Sequence, residues 1–226
     1  MERTTATFRQ RYRQGVHRLY HAGVHAGFVF SVGILAFVGL LHQAHPGSWW
    51  SWFAAPAGLL VFNAGVYWVH QQLGHHKRPW AALFYARHTG DHHSFFTEHA
   101  ISYDEWRDWR VILFPPWLIL VYLIGFVAPS GWLVGQVFGT STGWIFAAHA
   151  TLGYLLYEAF HTCHHLPDGH WITRLPWLSQ MRHLHRLHHR RDLMHTHNFN
   201  IVLPLMDWLC GTLHWEAPPH RSSKSA

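Results

Sequence analysis

The apolar positions of the chain gather into four long runs separated by polar, histidine-rich segments. Val24 to Leu41, Phe53 to Val69, Val111 to Val127 and Trp132 to Tyr157 contain no Asp, Glu, Lys or Arg. A helix needs roughly 20 mostly apolar residues to cross a bilayer, so the first three runs rely on flanking Trp and His or on local thinning of the lipid. The pattern predicts an all-α, polytopic membrane protein with about four transmembrane helices. Pro115-Pro116 predicts a kinked or re-entrant start to the third helix, and Ala128-Pro129-Ser130-Gly131 predicts the turn of a hairpin between the third and fourth.

Composition supports this reading. The 226 residues suffice for one domain; 49% are hydrophobic and 16% aromatic, but only 12% are charged, about half the share usual in soluble proteins. Mean hydropathy is only −0.04, because the polar histidines offset the apolar runs. The 17 Lys and Arg residues fall before the first run, between the second and third, and after the fourth; none lies between His42 and Trp52 or near Gly131. With four crossings, all basic residues share one face, and the positive-inside rule makes it cytoplasmic, with both termini.

The chain therefore divides into a basic cytoplasmic N-terminus (1–23), membrane helices (24–160) with a cytoplasmic insertion (70–110), and a cytoplasmic histidine-rich cap and tail (161–226). The first run is read as an uncleaved span, since no small-residue cleavage site follows it. The pI near 9.7 is read as attraction to anionic lipid head groups, as no nucleic-acid motif accompanies it. Cys163 and Cys210 are too few for a disulfide framework or an iron–sulfur cluster.

The 25 histidines carry the chemistry. Most fall in four clusters: His70 to His76, His88 to His93, His161 to His165, and His183 to His189. Neutral imidazole is the commonest side-chain ligand for transition metals. His185, His188 and His189 stand at i, i+3 and i+4, so they share a helix face. His88 and His92 do so too, while His93 points aside, towards a second ion. In the third cluster His165 is preferred as the partner of His161, with His164 as the alternative. His70 and His75 fit least well, because five residues separate them by more than 100° on an ideal helix, and Gly74 ends or distorts the helix there.

His70, His75, His88, His92, His93, His161, His165, His185, His188 and His189 make ten candidate ligands, too many for one ion and suited to two. An all-nitrogen pair of ions suits iron and oxygen chemistry, with zinc as an alternative occupant. Metal-bound imidazole usually donates its other N–H to a carboxylate or carbonyl, so Glu158 and Asp91 are expected in supporting positions, with His164 and His183 beside them. His195 and His197 are placed at the mouth of the site.

The ordered motifs resemble those of the fatty acid hydroxylase and sterol desaturase superfamily of integral membrane di-metal oxygenases. Its HxxxxH, Hx(2 or 3)HH, HxxxH and HxxHH groups are matched at His70/His75, His88/His92/His93, His161/His165 and His185/His188/His189. Gly153 to His161 resembles its final membrane helix, and Asn198 to Leu213, with Asp207-Trp208 and Gly211-Thr212-Leu213, resembles its closing segment. The resemblance covers roughly residues 55–216. It implies a di-iron site, O2 as co-substrate, and hydroxylation or desaturation of an unactivated C–H bond in a lipid such as a fatty acyl chain or sterol-like molecule. His76, His164, His183 and the three-residue spacing of the second motif depart from the simplest family pattern.

A lipid is expected to enter between the membrane helices. With no flavin or nicotinamide motif, electrons must come from a separate donor of ferredoxin or cytochrome b5 type with its reductase, docking near Arg190 and Arg191. The non-enzyme alternative is a histidine-rich membrane metal transporter or metal-binding protein. Transport sites normally sit near mid-membrane, where this chain has only His149.

Overall fold

In a computed structural model, which describes residues 2–217, the basic N-terminus folds as an amphipathic helix, α1 (Glu2–Gly15). Its i, i+4 spacing puts Phe8 and Tyr12 against a core of Phe95, Phe96, Ile101, Val111 and Ile112. Arg9 and Arg13 reach the same loop: Arg9 donates to the carbonyls of Phe95, Ala100 and Ser102, and Arg13 donates to Asp104 and Asp108. Arg9 and Arg13 are thus engaged within the protein.

Three helices are long and apolar enough to cross a membrane: α2 (Ala22–His42), α3 (Trp49–Gly74) and a later one, Leu118–Phe138. The His21 ring caps α2 by accepting from the Val24 N–H. Ser48 caps the 3-10 turn that opens α3, and a π-helical turn, His70–Gly74, closes it. Between α3 and the Leu118–Phe138 helix, α4 (Ala82–Tyr85) runs on into a second π-helical stretch, Ala86–His92.

The third span differs from the expected hairpin. The double proline lies before it, and α5 (Leu118–Phe138) runs unbroken through 128–131 to reverse only at Gly139, whose φ of 95° suits glycine. Pro129 is tolerated inside the helix because a π-helical turn, Leu123–Val127, precedes it and Ser130 Oγ donates to the Phe126 carbonyl at 2.6 Å. The loop at Gly139 also lacks basic residues, so the charge asymmetry is unaffected.

The fourth expected run becomes α6 (Thr140–His164), which packs against α2, α3 and α5. Ile145, Ala148, Ala150 and Thr151 on it are fully buried, which explains its polar residues: it is enclosed by protein, whereas the other three leave most of their apolar surface exposed. Glycines permit the close approach, since a Cβ at Gly143 would meet the Gly131 carbonyl on α5. Beyond the bundle, α7 (Pro176–His188) starts with proline at its first turn, and a short α8 (Leu205–Leu209) closes the described chain. No strand occurs among the described residues; Thr97 and Ala100 form an isolated bridge.

Candidate metal centre

The C-terminal ends of α3 and α6 bring His70 and His161 to one end of the bundle, where α4 and α7 lie across them. Nine of the ten candidate histidines converge there in two groups: His70, His75, His88, His93 and His188 in one, His92, His165, His185 and His189 in the other. Within each group the ligand nitrogens lie within 4.8 Å of one another, and every residue is buried. The tenth, His161, stands beside the second group, its Nε2 3.3 Å from His92 Nε2. The groups adjoin, with the rings of His93 and His189 stacked at 4.3 Å.

Each adjacent His-His pair is split, His92 from His93 and His188 from His189, because consecutive helical side chains point in different directions. The π-helical turns resolve the misfit of the first cluster. Their i to i+5 repeat puts residues four and five apart on one face, so His70 and His75 come within 5.1 Å, and His93 Nε2 reaches 3.1 Å from His88 Nε2. Gly74 is small for a reason: a Cβ there would lie 2.8 Å from the His88 ring.

Backbone carbonyls set the tautomers. The Nδ1–H groups of His70, His92, His165, His188 and His189 donate to the carbonyls of Phe199, Val111, Ile101, His197 and Phe96, at 2.6 to 3.0 Å. A carbonyl only accepts, so the proton must sit on Nδ1 and each Nε2 presents a lone pair. Those lone pairs point at other imidazoles: His75 and His188 Nε2 are 3.0 Å apart, as are His165 and His185 Nε2. His70 Nε2 is buried with no hydrogen-bond partner. Burial pushes the pKa of His92 down to about 3 and those of His88, His93, His165, His185, His188 and His189 well below the ordinary value, which keeps them neutral. Neutral nitrogen donors aimed inward, with their outer N–H groups anchored, fit two transition-metal cations.

The expected supporting carboxylates are absent from this shell. Neither oxygen of the fully buried Glu158 has a hydrogen-bond partner, and none of the candidate ligands pairs with it. Asp91 lies on the outer side of its helix near Arg87 and Arg110. His183 bonds to the Glu216 carbonyl on the exposed face of α7, and His76 folds back on the Gln71 carbonyl. His164 is buried outside both groups with both ring nitrogens unpaired, whereas His165 lies inside the second. His195 is exposed with its ring 5.4 Å from His75, and it does not line the apolar cleft described below, while His197 contributes its carbonyl to His188.

Val111 is in a short helix, Trp109–Ile112, and the other four anchoring carbonyls belong to two segments that ligand spacing does not reveal. Loop 95–104 is held by Arg9 and by Arg182, which donates to Ser102 Oγ and to the His164 and Leu166 carbonyls. The closing segment is held by Asp207, buried, which accepts from the N–H groups of Phe199 and Asn200 and from the Thr212 hydroxyl. Asn198, at a φ of 59°, bridges Leu184 and His214. The Asn-Phe start, the Asp and the Gly-Thr of this segment together aim the Phe199 carbonyl at His70.

The sequence model of the fatty acid hydroxylase family matches residues 55–212, which spans α3 to the end of this closing segment. The chain belongs to the fatty acid hydroxylase family. No curated protein and no solved structure matches it. The matched region contains every candidate ligand, and α1 and α2 lie wholly outside it.

An apolar cleft of about 230 Å³ leads to the histidines of this family member. His88, His92 and His161 line its inner end, Phe84, Leu113, Phe114 and Tyr157 its walls, and Leu83 and Trp117 its exposed mouth. It touches both histidine groups, through His88 and His92.

Proposed function

We propose that the protein is a membrane-bound di-iron oxidoreductase that uses O2 to hydroxylate or desaturate an unactivated C–H bond of a lipid. The observation that carries the reading is the pair of buried, all-imidazole groups whose lone pairs converge at the end of an apolar cleft. His70, His75, His88, His93 and His188 would hold one cation, and His92, His165, His185 and His189, with His161 beside them, the other. Iron bound there supplies the O2-activating redox chemistry.

The chain's own residues do the rest. Backbone carbonyls hold five of the imidazoles as Nδ1–H tautomers, and Phe114 and Tyr157, their rings stacked at 4.9 Å, wall the path of an alkyl chain towards His88 and His92. Closed apolar walls keep water from the reacting carbon. The basic distribution favours a cytoplasmic site with both termini on that side. Electrons come from a separate ferredoxin or cytochrome b5 type donor. Arg190 pairs with Asp192 and Glu216, so the exposed Arg191 is the better docking cation of the two.

His188→Ala and His189→Ala test the reading together, because they remove one ligand from different groups. Each variant is expected to lose lipid oxidation and to bind less iron than the wild type, with cell-lipid mass spectrometry reporting the lost mass shift. Normal product from either variant refutes the assignment. Metal flux across vesicles with no lipid product in the wild type would establish the transporter alternative.

A further inference from the structure

Arg87 and Arg110 stand together where the apolar cleft meets a second hollow, and they are the two cationic side chains on its wall. Arg87 lines both; Arg110, Tyr20, His21 and His25 line the hollow only. Arg87 donates to the Arg110 backbone carbonyl at 3.0 Å, and neither guanidinium forms an ion pair among the described residues. Each arginine is half-buried. Asp91 lies near both but forms an ion pair with neither. By contrast, Arg13 pairs with Asp108, Arg182 and Arg186 pair with Asp168, and Arg107 donates to the Val16 and His17 carbonyls.

Two unpaired, partly desolvated guanidiniums side by side call for an anion. We propose that Arg87 and Arg110 form the head-group site of the substrate, which is therefore an anionic amphiphile carrying a carboxylate or phosphate ester. The inference rests on the proposed lipid oxidation and narrows it. The anion sits against the two guanidiniums in the second hollow, the chain passes Pro115 and Trp117 into the apolar cleft, and a methylene comes to rest against His88, His92 and His161. Because Arg87 immediately precedes His88, the same π-helical stretch positions head group and oxidation centre. A neutral sterol-like lipid leaves both cations unmatched, and the pair selects against it.

Binding of palmitate, hexadecyl phosphate and hexadecanol to the full metal-loaded chain, in nanodiscs of phosphatidylcholine, tests this through tryptophan fluorescence. The wild type is expected to prefer at least one anion over hexadecanol by about tenfold or more, the effect of one charge-assisted hydrogen bond. Whichever anion is preferred identifies the head group as carboxylate or phosphate. Arg87→Gln and Arg110→Gln each collapse that preference while hexadecanol still binds, which reports an intact cleft. Arg110→Lys keeps the charge and retains most of the preference. Equal affinity for all three ligands in the wild type, or an undiminished preference in the Gln variants, overturns the proposal. Neither outcome alters the metal content or product loss of the His188 and His189 variants, so the head-group site and the oxidase reading fail separately.

Discussion

Replacing Asp207 by Asn separates architecture from ligation, because Asp207 lies outside both histidine groups and affects them only through Phe199. Its Oδ1 accepts from the Phe199 N–H at 2.9 Å and the Thr212 hydroxyl at 2.8 Å, and its Oδ2 accepts from the Asn200 N–H at 2.7 Å. Asparagine keeps the first oxygen and puts an NH2 where the second was, so a donor faces the buried Asn200 N–H. An unsatisfied buried donor costs about 1–3 kcal/mol, and weakening of the two remaining charge-assisted bonds adds to it. The Asn200 backbone shifts to relieve the clash and takes with it the Phe199 carbonyl, which anchors His70 at 2.6 Å. Loss of such an outer partner typically lowers metal affinity about 10- to 100-fold. In a metal-buffered titration of the full chain, the five-histidine group is expected to weaken while the four-histidine group, anchored by Val111, Ile101 and Phe96, holds. Thermal unfolding of the metal-free chain should show the stability loss independently. Wild-type affinity at both sites would refute the anchoring argument, and equal weakening at both would refute its locality.

Gly74→Ala pushes a methyl into the His88 ring, and its metal titration is expected to show a weakened five-histidine group with the four-histidine group spared. Arg9→Ala removes a buried guanidinium that bonds three carbonyls and Asp104, and should lower stability by about 2–4 kcal/mol in chemical denaturation of the detergent-solubilised chain; a change under about 0.5 kcal/mol would mean that α1 does not brace the 95–104 loop. Acid should destabilise the metal-free protein. The unfolded chain's imidazoles take up protons near 6.5, whereas folded His92 resists to about 3 and His88, His93, His185 and His189 are likewise lowered. Between those values the unfolded state binds more protons, so stability is full above 6.5 and falls as the pH drops towards 3. A Tm unchanged from pH 7.5 to pH 5 would contradict this.

The runs of apolar residues and the spacing of the histidines identified the helical membrane architecture, and the motif order identified the family, because both signals are local along the chain. The i, i+3, i+4 pattern at His185, His188 and His189 could be read directly, since α7 is a regular helix there. The first and second clusters could not. Whether a segment winds as an α-helix or a π-helix depends on what it packs against, and only the π turns align His70 with His75 and His88 with His93. Pro129 signalled a turn by its local chemistry, yet the Leu123–Val127 bulge and the Ser130 hydroxyl allow α5 to continue to Gly139.

Sequence determined which side chains carry the donor nitrogens, since that is a matter of residue identity. The division of those nitrogens into two groups, and the proton position on the five anchored rings, was decided by tertiary structure. The anchoring groups are carbonyls of Phe96, Ile101, Val111, His197 and Phe199, and every residue has a carbonyl, so no residue type announces them. Glu158 and Asp91 stood out in the sequence because acids are scarce, but the backbone of loops held by Arg9, Arg182 and Asp207 took the role expected of them. Its direction exists only once the chain has folded around it.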